Sequence, residues 1–398
     1  MNKGLLVVGA GFGQIPAILE AKKLNLEVIT VDKDPYAKGM GLADYSYPVD
    51  IIDRDAVLEI AKKHNVGGVI TMQSDLPVPT IGYINDVLGL NGVSMEVANF
   101  CSNKMETRKR LELKDAAQPK FKIVKTLDET KKAVMEIGLP CVIKSADNSG
   151  SRGVTKVNDS YEIENAYKEA FKYTRKDSIL VEEYIKGVEF GAQTFSVNGK
   201  CELVLLHNDT MSNPPYMIPV GHSFPFVQLS KEDSKTAISD IKNAIEAIGI
   251  TNGPANVDLI LDETTNRVKV IEIGARIGAT CLPELVYYHT GINWVKSTIL
   301  NAIGVDVDLT PITNRAVAAI IIEAPEDGVY MGYETKEGGH TRCPLLDFEI
   351  TKSPGDQVNI LRKGTDRIGK IISYGSTASI AEKIVSEYRD NLIIKVEK

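Results

Sequence analysis

"ANVDLILDETTNRVKVIEIGARIGA", residues 255–279, sets two carboxylates and an arginine on an apolar strand–turn–strand pattern. Two apolar runs, 255–261 and 268–273, flank a polar segment from Asp262 to Asn266 that has the composition of a turn. Runs of this length rich in Val and Ile read as strands, so the stretch predicts an antiparallel hairpin. Each strand carries one carboxylate on an apolar background, Asp258 on the first and Glu272 on the second. Pairing around the turn brings the two near one another, where they repel unless a cation lies between them. An all-oxygen ligand pair beside a polyphosphate suits magnesium. Arg276, four residues past Glu272, is placed to bridge a phosphate or an anionic intermediate. The competing reading is an internal ion pair between this arginine and the two acids.

Upstream, "PCVIKSADNSGSRGV" (140–154) delivers Lys144 on a strand and continues into a loop of small residues. Backbone amides around Ser149, Gly150, Ser151 and Gly153 are free to wrap phosphate oxygens, with Lys144 as a point charge at the base. No G-K-[ST] follows, so this is not a P-loop; the plain alternative is a hairpin with a solvated lysine. "LVEEYIKGVEF" (180–190) ends a strand at Glu182-Glu183-Tyr184-Ile185, with backbone groups that suit an adenine edge. Glu189 suits ribose hydroxyls, and the alternative is an acidic surface strand end.

Close to the start, "VVGAGFGQ" (7–14) looks like a dinucleotide loop. A strand at 5–8, Gly9, Gly11 and Gly13, a helix at 15–23 and Asp32 after a second strand at 28–31 all fit. The third glycine of G-x-G-x-x-G, however, falls on Gln14. With a better-matched nucleotide site elsewhere, the loop is expected to floor the acceptor-substrate cleft, leaving Asp32 structural.

The chain has 398 residues, enough for two or three domains of about 150 each. Its 46 basic and 53 acidic residues give a net charge of −7 without a long basic run, which argues against nucleic acid. No apolar stretch approaches a membrane span, and the apolar run at 5–10 is too short for a signal peptide. Five scattered cysteines without a C-x-x-C pair argue against a disulfide framework or zinc and fit the cytoplasm.

The βαβ rhythm over 1–100, with strands at 5–8, 28–31, 68–71 and 90–93, predicts a small parallel sheet covered by helices. A charged helix over 102–113 follows, capped by Ser102. From about residue 120 the pattern changes to mixed α+β, with strands at 121–124, 141–144, 153–157 and 179–181 and helices at 128–137 and 160–172. A hairpin around Asn198-Gly199, a polar loop over 208–225 and a helix at 231–248 lead into the stretch 255–279. The end is strand-rich, with one helix at 377–388.

These segments, with "SNKMETRKRL" (102–111), resemble the ATP-grasp superfamily of carboxylate–amine/thiol ligases. Within it, "GDQVNILRKGTDRIGKIISYG" (355–375) is similar to the branch of phosphoribosylglycinamide synthetase and bacterial L-amino-acid ligases, with carbamoyl-phosphate synthase large subunits nearby. The resemblance implies three parts. They are a Rossmann-like α/β pre-ATP-grasp domain at 1–100, an α+β ATP-grasp domain at 101–310 with a lid subdomain at about 120–187, and a small β-rich C-terminal domain at 311–398. It implies that Lys104 and Lys144 hold ATP phosphates beneath the 149–153 loop. Glu182 and the 183–185 backbone match the adenine hinge, and Glu189 the ribose acid. Asp258 and Glu272 match ligands of Mg2+ (Mn2+ can replace it), and Arg276 matches the arginine that steadies an acyl-phosphate. Where the family often reads E-x-N-x-R, this chain has Gly274, so a ligand must come from water, a bidentate Glu272 or Asn256.

The implied activity joins a small-molecule carboxylate, activated as an acyl-phosphate, to an amine, with amino-acid-type substrates first and a phosphoribosylamine-type purine ligase second. A non-catalytic ATP-binding module and a dinucleotide-dependent oxidoreductase are the other readings. His207, Tyr216 and His222, with Gly11, Phe12, Ser74 and Asp75, are the candidates for lining the substrate pocket. A homodimer fits this reading; membrane and nucleic acid do not.

Overall fold

The computed structural model describes residues 4–147, 153–213, 216, 218–336 and 345–398. They form two compact units: Met1–Val204, Ser230–Ile277 and Thr298–Val307 in the first, and Leu205–Leu229, Gly278–Ser297 and Asp308–Lys398 in the second. The mixture of parallel α/β and antiparallel α+β layers is the one the sequence predicts.

In the first unit, short apolar runs are buried on both faces, as parallel strands covered by helices must be. Four strands pair in the order Tyr45–Tyr47, Val28–Val31, Gly4–Val8, Val66–Ile70, all parallel. Gly4–Val8 and Val28–Val31 are buried throughout. The expected strand at 90–93 does not form. The helix Val78–Leu88 ends at Gly89, whose left-handed φ of 63° terminates it, and Gly92 at φ 135° keeps the following residues irregular.

The helix expected at 102–113 runs Lys104–Glu112, and a separate helix, Met95–Ser102, precedes it. Asn103, not Ser102, is the cap: its backbone is extended and its Oδ1 accepts from the Met105 amide at 3.1 Å. That break fixes Lys104 as the first residue of its helix.

A second sheet in this unit runs Phe121–Val124, Ile179–Glu183, Cys141–Ser145, Val154–Val157, all antiparallel. Leu127–Ile137 and Ile163–Tyr173 close one face around Val134, Ile143, Ala166 and Val181. A third set pairs Gly187–Val197 with Gly253–Asp262 and the latter with Arg267–Gly274. The antiparallel hairpin of the stretch 255–279 is therefore present.

The second unit corrects the loop expected at 208–225. Residues 208–211 and 219–224 belong to a strand pair, the end of Lys200–Met211 against Pro219–Phe224. Pro219 and the polar residues disguised these strands, whose buried positions mix His207 and His222 with Val220 and Phe224. Pro219–Phe224 pairs in turn with Ala316–Ile322, and that strand with Gly369–Gly375. The helix Ala378–Asp390 packs over them, its Val385 in one core with their Ile320 and Ile371. Among the described residues no helix is long and apolar enough to cross a membrane.

Candidate active site

The hairpin register places Asp258 directly opposite Glu272 and Asn256 opposite Gly274. Directly opposed residues of an antiparallel pair share a face, so the two carboxylates lie side by side. Both are open to solvent in part or in full. Asn256 donates to Asp258 Oδ1 at 3.0 Å and accepts from Gln193 Nε2 at 2.6 Å, so it orients the aspartate. Lys104 Nζ lies 3.3 Å from Glu272 Oε1.

Beneath this cluster sits a buried charge relay absent from the sequence reading. Arg108, one helical turn beyond Lys104, is 1% exposed. Its guanidinium donates to Glu182 at 2.7 and 3.4 Å and to the carbonyls of Val270 and Ile271 at 3.0 and 2.9 Å. Lys144 Nζ completes the relay, 2.7 Å from the other Glu182 oxygen. Burial works against ionisation of Glu182, but Arg108 and Lys144 overcome it and bring its carboxyl down to about 2. Burial lowers Lys144 to about 8 against the pull of Glu182. The Glu182 side chain is thus held by Arg108 and Lys144; of the hinge expected at 182–185, Glu182 and Glu183 end a strand and Tyr184 and Ile185 lie in the connection 184–186. Glu183 accepts from the Lys120 amide at 2.8 Å, and Lys156 covers the Tyr184 ring at 3.8 Å. Ile185 is half-buried and Glu189 is exposed.

Gly153 is buried with φ 69°, and a Cβ there would meet Tyr173 at 2.9 Å, so the position demands glycine. Ser149, Gly150 and Ser151 lie outside the described residues.

The opening glycine loop is tied to Arg276 through a short series of contacts. Gln14 is buried, donates to the Met72 carbonyl at 2.6 Å and fills the space beside Gly9. Asp32 accepts from the Ala10 amide at 2.9 Å, a structural role within the loop. The Gln73 amide donates to the Ile277 carbonyl at 3.1 Å. Asp75 then meets Arg276, Oδ1 to Nε at 2.8 Å and Oδ2 to Nη2 at 2.9 Å. Burial opposes the charge on Arg276, yet Asp75, with Asp258 and Glu272 further off, raises its pKa. The partner of Arg276 is therefore Asp75, not the acids of the hairpin. Gly11 and Ser74 are half-buried and Phe12 is exposed.

His207 and His222 belong to the second unit. Residues 207 and 209 share a face by strand periodicity, and Asp209 pairs directly with His222. Both Nδ1 atoms lie against Asp209 Oδ1, at 2.8 and 2.6 Å. Burial lowers the pKa of His207, and the two imidazoles hold Asp209 well below the usual carboxylate range despite its burial. Tyr216 is exposed. Cys281 is buried, and burial pushes its thiol up to about 12, unsuited to a nucleophile.

Residues 137–284 match the ATP-grasp domain. The structure of phosphoribosylglycinamide synthetase from Anaerococcus prevotii superposes with a TM-score of 0.85 at 27% identity, covering 100% of each chain. That of L-amino acid ligase from Bacillus licheniformis gives 0.81 at 23%, covering 100% of this chain and 99% of its own. Among curated sequences, the formate-dependent phosphoribosylglycinamide formyltransferase of Sulfurisphaera tokodaii is 24% identical over 395 residues, 96% of this chain and 94% of that one. An uncharacterized protein of Sinorhizobium fredii is 26% identical over 403 residues, 97% of this chain and 81% of that one. Residues 137–284 therefore carry an ATP-grasp domain, on the fold these enzymes share. The matched domain and the fold are those of ATP-dependent ligases that form C–N bonds.

Proposed function

We propose that the protein converts a small-molecule carboxylate to an acyl-phosphate with Mg-ATP and joins it to an amine, releasing ADP and phosphate. The observation that carries this reading is the register pair Asp258–Glu272 with Lys104 on Glu272 and Arg276 beyond it. The donors are all oxygens on adjacent strands, which fits a hard divalent cation. When bound, magnesium supplies charge neutralisation for the polyphosphate.

Lys104 and Lys144 attract the phosphate oxygens, and Arg108 and Glu182 fix where Lys144 stands. A carboxylate oxygen of the substrate attacks the γ-phosphorus, and the bond from that phosphorus to the bridging oxygen of ADP breaks. Arg276 balances charge on the transferred phosphoryl group. The amine then attacks the acyl carbon; phosphate leaves with the C–O electron pair and the amine proton goes to solvent. Positioning and charge balance carry such chemistry, so no protein nucleophile is needed.

Amino-acid-type substrates are the first expectation. The names of the relatives favour a second, a purine-type amine joined to formate or glycine. A phosphate-release screen with Mg-ATP tests both, using pooled amino acids in one arm and formate or glycine with phosphoribosyl amines in the other. ADP and phosphate in one arm identify the substrate class. AMP with pyrophosphate, or background release in both arms, contradicts the reading.

A further inference from the structure

We infer that Asp75 is the positioning residue for Arg276, holding it off the carboxylates Asp258 and Glu272, and that Gly274 leaves the room this requires. This rests on the Mg-ATP reading above and concerns how its cation pair is kept available.

An arginine at 276 has three carboxylates within electrostatic reach, Asp75, Asp258 and Glu272. Were it to settle on the latter two, it would neutralise the pair that is to take a divalent cation. Asp75 prevents this by engaging Nε and Nη2 together. Nη1 donates to the Ile277 carbonyl at 3.3 Å, which leaves one N–H on each terminal nitrogen for an anion. The Asp75 side chain is 48% exposed against 13% for Arg276. The guanidinium is thus held in the protein by a carboxylate half open to solvent, so the pair sets where the arginine points.

Gly274 completes the argument. A Cβ there would stand 2.8 Å from Asp75 Oδ1 and 3.4 Å from the Arg276 Cζ. Its backbone lies outside the left-handed region, so an alanine there would displace the Asp75 carboxylate rather than strain φ. Asp75 reaches this position because Met72 bridges to Ile277 and the Gln73 amide is bonded to the Ile277 carbonyl. Gln14 holds that same segment from the glycine loop.

The test reads the Mg2+ concentration that half-saturates ADP binding, followed by calorimetry on the full chain. Asp75→Ala and Gly274→Ala should each raise it about tenfold, and together no further, since both act through one contact. Adding Arg276→Ala to Asp75→Ala should restore the original value, because no arginine is left to occupy the acids. A merely structural role would lower the melting temperature without this suppression. Asp75→Asn, near-isosteric, repeats the measurement should the alanine variant fold poorly. An unchanged half-saturation in Asp75→Ala, additive effects, or failure of the Arg276→Ala suppression overturns the inference while Mg-dependent ADP binding still supports the function. ADP binding that ignores Mg2+ in the unsubstituted protein overturns both.

Discussion

Lys144 is buried with its ammonium on Glu182, and burial brings its pKa to about 8. The charged form is the one that attracts phosphate oxygens, so Mg-ADP affinity should fall as the pH rises through that value. Lys144→Arg, which keeps its charge, should flatten the limb in a calorimetric titration from about pH 6 to 10; an unchanged limb would remove Lys144 from the phosphate site. Glu272→Gln keeps the shape of the side chain and loses the charge opposite Asp258. Phosphate release should fall by about a hundredfold or more, and wild-type rates would sink the cation assignment. These residues were legible because each is a charge on an apolar strand or at a helix start. Arg108 was not: among the basic residues of "SNKMETRKRL", nothing local says that one turns inward to a glutamate 74 positions away. Asp75 carried a polar-loop signal that pointed to substrate, and only the long-range contact reveals Arg276 as its partner.

At the scale of elements, Arg108 joins the Lys104–Glu112 helix to the strands Ile179–Glu183 and Arg267–Gly274. Arg108→Met should cost about 3–5 kcal/mol in urea unfolding, because it strips a buried carboxylate and two carbonyls of their donor. A loss below about 1 kcal/mol would mean the relay is slack. In the second unit, Asp209 sits between two buried histidines on the strand pair missed by the sequence reading. Its depressed pKa contributes stability that is present above about pH 4 and lost as the pH falls below. His207, buried and lowered, acts in the same direction from about pH 6.5 downward. Asp209→Asn should therefore flatten the acid limb of melting temperature against pH, and an unaltered limb would contradict the role given to this cluster. Regular elements with clean periodicity, such as Ile15–Lys23 and Lys231–Ile248, were legible to the residue. The pair Lys200–Met211 and Pro219–Phe224 was hidden because His207, Asp209 and His222 stand among its inward positions and interrupt the apolar alternation.

Across the whole molecule, the glycine loop at 7–14 is tied through Met72 and Gln73 to the segment that carries Arg276, and under the proposed function it supports a ligase site rather than a dinucleotide. Gln14 occupies the position where a third glycine would let a helix approach, and Asp32 is spent on the Ala10 amide. NADH fluorescence should accordingly show no enhancement on mixing; a saturable rise would revive the oxidoreductase reading. The central claim is that the substrate carboxylate becomes an acyl-phosphate. The most direct measurement uses whichever carboxylate the phosphate-release screen identifies, labelled with 18O in both oxygens, and follows released phosphate by mass spectrometry. Phosphate carrying one 18O atom per turnover is the predicted result, because the attacking carboxylate oxygen leaves with phosphorus. Unlabelled phosphate during amide formation would contradict the account.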